Sequence, residues 1–320
     1  MGKAPIVGHH GVAPGERAIE QLLDAGIVNV DKPKGPSSHQ VTAWTRDIFG
    51  AEKAGHLGTL DPGVTGVLLV GLGRAVRGLD ALLLSDKEYV CLMHLHQEVP
   101  KQKLHDTFKI FVGEIFQTPP LRSAVKRQRR SRTIYEIEVL EIAGRSVLFR
   151  VRCESGTYIR TLCVDVGEAL GVGANMRELR RTMSAGFSEK DSHPLQEVKD
   201  AWQAWKQSGD DKALRNILLP METLFERMPK VTIKDSAVDA ICHGASLAVV
   251  GVTRADASIA SGGMVAMLTA KGEAIALGRA MMNAEGMAKT EEGIAVKVER
   301  VLMQPGTYPR MWKDKGILPK

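Results

Sequence analysis

Cysteine, aromatic residues and long apolar runs are all scarce in this 320-residue sequence. The four cysteines form no CxxC pair and follow no regular spacing, which argues against a zinc site and a disulfide scaffold and favours a reducing compartment. No apolar run reaches the length of a membrane span, and the N-terminus lacks the apolar region of a signal peptide. We therefore expect a cytoplasmic protein without membrane association.

Charge and length narrow the class of protein further. The sequence holds 43 Lys and Arg against 37 Asp and Glu, a formal net charge of +6 with a pI near 9.1. A basic balance favours an anionic partner, of which nucleic acid is the leading candidate. With 44% hydrophobic residues, the chain can bury a proper core and is long enough for two domains.

Strand and helix patterns interleave over residues 1–228. The stretch GIVNV predicts a strand over Ile27–Val30, and Ser37 or Ser38 caps a predicted helix that continues to Phe49. The stretch KEYVCLMHLH alternates as a strand does, and a further helix is predicted from about Ile159. We expect an α+β fold with a mixed sheet and flanking helices, preceded by an N-terminal extension.

The character of the sequence changes at Pro229. Short strands broken by glycine follow, as in ASLAVVGV and GIAVKVERVLM. They predict a small β-barrel over residues 229–320, including a C-terminal tail, which is too small for a second catalytic core. A binding module is the favoured interpretation of this part.

One carboxylate stands in an unusually constrained stretch, KAGHLGTLDP. Gly55 and Gly58 precede Asp61, Pro62 fixes the backbone after it, and Gly63 allows a positive φ. Such a loop holds a side chain in one orientation, which suits a reactive group. It equally suits an ordinary turn that caps the next strand.

The sequence contains partial matches to cofactor-binding and metal-binding motifs, but their residues do not have the spacing that these motifs require. Gly71 and Gly73 follow a strand, but Val76 occupies the third glycine position of a dinucleotide fingerprint. His94 and His96 alternate on one strand, and neither an HExxH nor a GxSxG motif is present. We expect no metal and no cofactor, which leaves a cofactor-free enzyme or a binding protein.

Basic residues cluster in PPLRSAVKRQRRSR and again in RELRR. In the second cluster, Arg177 to Arg181 add cationic groups, and Leu179 is predicted to lie on an apolar helical face. Groups of this kind contact phosphates and position a nucleic acid without reading its sequence, although a solvated basic surface explains each cluster equally well. The first cluster contains Arg122, Lys126, Arg127, Arg129, Arg130 and Arg132.

Five ordered motifs resemble the pseudouridine synthase family that contains the bacterial tRNA T-loop enzyme and the dyskerin-type enzymes. They are GHLGTLDPGVTGVLLVGLGRA, KEYV, PPLRSAVKR, GTYIRTL and GANMRELRRT. The closer resemblance is to the archaeal dyskerin-type enzymes, which are the catalytic subunits of box H/ACA ribonucleoproteins. It rests on the final module and on the stretches MHLHQEVP, ILPMETL and GILPK. That module resembles a PUA domain, an RNA-binding barrel.

The resemblance implies a set of site residues. Asp61 matches the catalytic aspartate, acting as nucleophile at C1′ or as base at C2′, and Arg160 matches the arginine that pairs with it. Tyr89 matches a tyrosine that stacks on the flipped base and can assist removal of the C5 proton. The resemblance also implies that Tyr158 and Leu179 line the uracil pocket and that His56 meets the flipped nucleotide.

The implied activity is isomerisation of uridine to pseudouridine in RNA, without a cofactor. The implied partners are box H/ACA guide RNA, target rRNA and tRNA, and the small H/ACA core proteins. Three alternatives stay open: a stand-alone enzyme acting on the tRNA T-loop, a non-catalytic RNA-binding scaffold, and a nucleotide-dependent enzyme that the failed glycine spacing disfavours.

Overall fold

The computed structural model describes residues 10–118 and 128–311 of the chain. It contains two compact units, each built from separate stretches of sequence. The larger unit comprises residues 28–70 and 82–217, and the smaller one comprises residues 1–27, 71–81 and 218–320. No helix in the described ranges is long and apolar enough to cross a membrane.

The helices and strands are numbered in chain order. The α-helices are α1 Ile19–Ala25, α2 Ser38–Phe49, α3 Ala75–Leu79, α4 Lys101–Ile110, α5 Ile159–Leu170, α6 Leu195–Ser208, α7 Lys212–Ile217, α8 Asp235–Cys242 and α9 Ala284–Lys289. Single 3-10 turns occur at Pro14–Glu16, Asp80–Leu82, Glu189–Asp191, Met221–Phe225 and Val249–Gly251.

The strands are β1 Gly26–Lys32, β2 Ala54–His56, β3 Thr65–Leu72, β4 Lys87–Leu95, β5 Gly113–Gln117, β6 Arg130–Ala143, β7 Ser146–Cys153, β8 Ala174–Ser184, β9 Phe187–Ser188, β10 Leu218–Pro220, β11 Lys230–Ile233, β12 Leu247–Ala248, β13 Val252–Ala255, β14 Met264–Leu268, β15 Ala274–Ala280 and β16 Ile294–Val301.

The larger unit contains a mixed sheet in which β4 occupies a central position. The strand order is β1-β3-β8-β4-β7-β6-β5. Strand β3 pairs with β8 in parallel. The pairs β8–β4, β4–β7, β7–β6 and β6–β5 are antiparallel. This sheet with its flanking helices confirms the expected α+β architecture.

Alternation along β4 and β7 explains the core of the larger unit. Cys91, Met93, Phe149 and Val151 point to the same side and are fully buried. They pack against the apolar face of α5, which includes Leu162. Burial of each large apolar side chain contributes about 2 kcal/mol, so this layer fixes α5 firmly on the sheet.

Helix α2 begins and ends where its capping residues predict. The Ser37 hydroxyl accepts from the Gln40 N–H at 3.2 Å, and the Gln40 side chain accepts from the Ser37 N–H at 2.9 Å. Gly50 ends the helix with a φ of +62°. The adjacent Ser38 is buried, and its hydroxyl donates to the Leu60 carbonyl and accepts from the Leu60 N–H, at 3.0 and 2.8 Å. The helix start thereby holds the loop before Asp61.

The smaller unit contains the expected β-barrel. Its strand order is β12-β16-β15-β14-β11-β13, with β11 and β14 parallel and the other pairs antiparallel. Val231, Met267, Ile275 and Val296 lie in its core and are almost completely inaccessible to solvent. The glycine-interrupted strands of the sequence are therefore those of a six-stranded barrel-like sheet.

A buried carboxylate ties the N-terminal segment into this smaller unit. Glu273 accepts hydrogen bonds from the Val12 N–H, the Thr269 hydroxyl and the Tyr308 hydroxyl, at 3.0, 3.0 and 2.5 Å. Burial raises the pKa of Tyr308, and the hydrogen bond to Glu273 raises it further. Three donors compensate the carboxylate for its lost hydration.

The segment from Arg177 to Arg181 differs from its expected structure. It belongs to strand β8 and not to a helix, so the predicted helical face for Leu179 is wrong. Leucine, glutamate and arginine favour helices in isolation, but pairing with β3 and β4 on both sides overrides that preference.

Candidate active site

Asp61 opens a tight β-turn directly before strand β3. The turn is closed by the Val64 N–H, which donates to the Asp61 carbonyl at 3.0 Å. Gly63 does not adopt a positive φ, which corrects the expectation for that residue. The left-handed positions are Gly58 and Gly66, at +70° and +100°. The carboxylate of Asp61 itself is 57% exposed.

A buried lysine supports this turn from beneath. Lys32 is fully buried at the end of β1, and its ammonium group donates to the carbonyls of Pro33, Pro62 and Val64 at 2.9, 3.3 and 2.8 Å. Burial lowers the pKa of Lys32, and the nearby Asp61 carboxylate opposes that decrease. The turn is therefore held by a cation that is buried from solvent.

Arg160 forms an ion pair with Asp61, as the resemblance implied. Arg160 is the second residue of α5, and Tyr158 is the N-cap residue of the same helix. The buried Gln117 side chain accepts from the Tyr158 N–H at 2.9 Å and donates to the Tyr158 carbonyl at 3.1 Å. This two-point contact fixes the backbone from which Arg160 extends.

Tyr89, Leu179 and Arg181 lie on one face of the sheet. Tyr89 of β4 is opposite Arg181 of β8, and Cys91 is opposite Leu179. Tyr89 and Leu179 are partly buried and pack against the core beneath α5. Burial raises the pKa of Tyr89, while its hydrogen bond to Arg181 acts in the opposite direction. The sheet thus brings Leu179, an expected uracil-pocket residue, to the same face as Tyr89, the residue expected to stack on the base.

Arg181 is buried and was not among the expected site residues. Only 1% of it is exposed, so its assignment to a basic phosphate-binding surface is wrong. Its guanidinium donates to the carbonyls of Val67 and Gly58 at 2.8 and 2.9 Å. Arg181 lies two positions after Leu179, and alternate residues of a strand share a face. That spacing is the signal that could have predicted its burial.

Arg180, on the opposite face of β8, also has protein partners. Its guanidinium binds both oxygens of Asp31, at 2.9 and 3.1 Å, and Glu189 at 2.6 Å. Within the RELRR cluster only Arg177 is exposed among the arginines. The basic surface that this cluster predicted is accordingly smaller than expected.

The first basic cluster is described only in part. Arg129 and Arg130 are exposed, and the Arg129 guanidinium lies 4.9 Å from the centre of the Phe116 ring. Arg132 instead extends along the backbone of Gly156 and lies 3.6 Å from Glu154, so it does not belong to the exposed cluster. The expected residues Arg122, Lys126 and Arg127 lie outside the described residues.

His56 borders a cleft beside the Asp61 loop. Its Nδ1 lies 2.9 Å from the Thr42 hydroxyl, and its ring meets that of His39 edge-on at 4.8 Å. The cleft has a volume of about 490 Å³ and is lined also by Arg46 and Gly55. Burial lowers the pKa of His56 to about 4, and His39 and Arg181 add to the decrease. His56 is therefore uncharged at neutral pH.

This pKa predicts a specific pH dependence of stability. Because the unfolded chain protonates His56 near pH 6.5 and the folded chain only near pH 4, the free energy of unfolding should fall as the pH decreases through that window. Denaturant unfolding of wild type and His56→Gln at several pH values checks this. The variant should lose part of the decrease, whereas His105→Gln, at an exposed position of α4, should retain all of it.

No group of three or more His, Cys, Asp or Glu side chains in the described parts of the chain could hold a metal ion. The site presents an exposed carboxylate held by an arginine, near enough to the partly buried Tyr89 to help raise its pKa. Such a constellation can perform nucleophilic or acid–base chemistry with protein groups alone.

Family models match most of the chain. Residues 46–159 match the N-terminal domain of the TruB family pseudouridylate synthases, and residues 160–226 match the C-terminal domain of tRNA pseudouridylate synthase B. Residues 229–302 match the PUA domain, and residues 6–42 match the DKCLD domain.

Three similar proteins are informative. A Methanopyrus kandleri protein named "Probable tRNA pseudouridine synthase B" is 52% identical over 95% of this chain and 90% of its own length. One chain of a Cbf5-Nop10-Gar1 complex is 51% identical, covers 96% of this chain and 94% of its own, and has a TM-score of 0.90. A chain of an H/ACA RNP bound to a substrate RNA containing 2′-deoxyuridine is 47% identical, covers 97% of this chain and 96% of its own, and also has a TM-score of 0.90.

Identity of this extent over nearly the whole length, on the same fold, leaves one conclusion. The chain belongs to the TruB family of pseudouridylate synthases, enzymes that isomerise uridine to pseudouridine in RNA.

Proposed function

We propose that this enzyme modifies uridines in ribosomal RNA that a box H/ACA guide RNA selects, with Asp61 as its catalytic carboxylate. The observation that supports Asp61 most strongly is its ion pair with Arg160 on a turn whose carbonyls the buried Lys32 binds. A carboxylate so held is oriented and still accessible to RNA.

The reaction needs no external group. The N1–C1′ bond breaks, the base rotates, C5 bonds to C1′, and the proton lost from C5 is balanced by one gained at N1. Asp61 acts beside the anomeric carbon, either as nucleophile at C1′ or as base at C2′. Bound RNA covers the exposed carboxylate, and exclusion of water strengthens its interaction with the sugar.

The neighbouring side chains receive the flipped uracil. Tyr89 stacks on the base, and its hydroxyl assists removal of the C5 proton. Leu179 and Tyr158 line the pocket, and His56 contacts the nucleotide at the loop. An uncharged imidazole suits that place because it can accept or donate a hydrogen bond to the nucleotide without adding a charge to the loop.

RNA binding outside the site is assigned to the basic cluster and the PUA module. Arg122, Lys126, Arg127, Arg129 and Arg130 contact phosphates of the target, and the module over residues 229–320 anchors the guide RNA, with residues 1–228 as the catalytic domain. The similarity to chains in H/ACA complexes supports guide RNA and the small core proteins as partners. We place the assembled particle in the cytoplasm.

A second substrate is supported by the relatives that are named tRNA pseudouridine synthases. On this proposal the enzyme also modifies the T-loop uridine of tRNA, without a guide. The non-catalytic scaffold remains the competing class, although a protein that only binds RNA has no chemical need for Asp61, Tyr89 and Arg160 together.

Release of tritium from 5-tritiated uridine tests the proposal. An rRNA fragment is incubated with the protein alone and with guide RNA and the small core proteins, and bare tRNA is incubated with the protein alone. Release from the rRNA fragment should require the complete particle, and release from bare tRNA would establish the second substrate. No release in any mixture, with guide binding intact, would favour the scaffold.

A further inference from the structure

Arg181 has surroundings that are unusual for a charged side chain. It is one of the largest fully buried side chains among the described residues, and the ionisable group of those residues that acts on its charge is Tyr89 and not a carboxylate. A buried cation without a counter-ion is costly to fold, since it loses its hydration. An apolar side chain would occupy the same place at lower cost, so the guanidinium supplies something that packing does not.

What it supplies is a set of hydrogen bonds to three separate segments. Its Nε–H donates to the Val67 carbonyl of β3, and its Nη2 donates to the Gly58 carbonyl and, more weakly at 3.4 Å, to that of Leu57. Arg181 also lies directly opposite Tyr89 in the pairing of β8 with β4, and the guanidinium acts on the Tyr89 hydroxyl at this short range. One planar group thus joins the loop before Asp61 to the tyrosine.

Two glycines allow the arginine to come this close. A Cβ on Gly58 would lie 3.3 Å from Nη1 of Arg181, and a Cβ on Gly66 would lie 2.2 Å from its backbone carbonyl oxygen. Both glycines have positive φ values. The backbone on each side of Asp61 is therefore shaped around Arg181.

We propose that Arg181 is a positioning residue for the isomerisation, acting through the Tyr89 hydroxyl. The proposal rests on the function proposed above. The buried guanidinium of Arg181 is planar and rigid, and it donates to the phenolic oxygen of Tyr89. It thereby fixes the distance and direction of that oxygen relative to the uracil ring. Lysine keeps the charge but lacks the planar set of donors, so it cannot bind the loop carbonyls and the Tyr89 hydroxyl at the same time.

Single-turnover tritium release in the assembled particle tests this role. Arg181→Lys should lower the rate about 30-fold, with the dissociation constant for substrate RNA changed by no more than about two-fold. Arg180→Lys, at the adjacent position on the opposite face, is the matched control and should stay within about two-fold of wild type.

The variant Tyr89→Phe separates positioning from simple support of the fold. If Arg181 acts through the hydroxyl, Arg181→Lys should reduce the rate less than about three-fold further in a Tyr89→Phe background. If Arg181→Lys lowered the rate in the Tyr89→Phe background as much as it does in the wild type, Arg181 would not act through the hydroxyl. That result would overturn the proposal. An unchanged rate in Arg181→Lys would do the same.

Stability is measured alongside, with Arg181→Gln as a second variant. Failure of both Arg181 variants to fold would assign the residue a purely structural role and would also refute the proposal. Wild type and Asp61→Asn serve as references. Inactive wild type, or active Asp61→Asn, would contradict the proposed function, whereas normal references with unaffected Arg181 variants would contradict only this inference.

Discussion

Asp61→Asn is expected to lower the single-turnover rate of pseudouridine formation by about 10⁴-fold. Asparagine keeps the shape and the hydrogen-bonding capacity of the side chain, but it can neither attack C1′ nor take a proton from C2′. Affinity for guide and target RNA should change little, because the uncharged amide removes no phosphate contact. Tritium release and a binding titration on the same particle measure the two quantities.

The fold of the Asp61→Asn variant should be intact. The Asp61 side chain is 57% exposed, and the loss of such an ion pair costs at most about 1 kcal/mol. Asp106→Asn is the matched control, because Asp106 is 54% exposed and paired with Lys109. It should leave the rate unchanged. If Asp61→Asn retained about a tenth of the wild-type rate, the carboxylate would not be the reacting group.

Gly66→Ala is expected to destabilise the larger unit by about 4 kcal/mol or more. Gly66 has a φ of +100°, and a Cβ there would lie 2.2 Å from the backbone oxygen of Arg181 and 2.9 Å from its nitrogen. Because both contacts are with backbone of the paired strand β8, neither can be relieved by a side-chain movement. Chemical denaturation of purified protein provides the measurement.

Gly35→Ala separates the two causes of this loss. Gly35 has a φ of +117°, but a Cβ at this position would meet no other heavy atom within 4 Å. It should therefore show only the cost of a left-handed backbone, about 1 to 2 kcal/mol. Equal losses in the two variants would mean that the clash with the Arg181 backbone adds nothing to the loss of stability.

The local features of the fold could be predicted because they depend on nearby residues. Ser37 supplies the cap of α2 and Gly50 its left-handed end, and both signals lie within the helix and its flanks. The alternation in KEYVCLMHLH likewise identified β4 directly. Patterns of this kind need no knowledge of distant parts of the chain.

The support of the site could not be predicted in the same way. Lys32 and Arg181 are buried, although basic residues are almost always exposed, and their partners are carbonyls that carry no sequence signature. The pair of Asp61 and Arg160 spans 99 positions. It was expected only from the family resemblance, since no spacing rule joins residues so far apart.

The parallel pairing of β3 with β8 also affects when the enzyme can mature during synthesis. Leu57 and Arg181 are 124 positions apart, so the loop leaves the ribosome long before its support is made. At common rates of translation, that interval is about ten seconds. Until β8 emerges, the carbonyls of Gly58 and Val67 lack the guanidinium that binds them in the folded protein. The loop before Asp61 is then held only in part, by the contacts of Lys32 and Ser38. We therefore expect a nascent chain to lack isomerase activity until most of the larger unit has been translated.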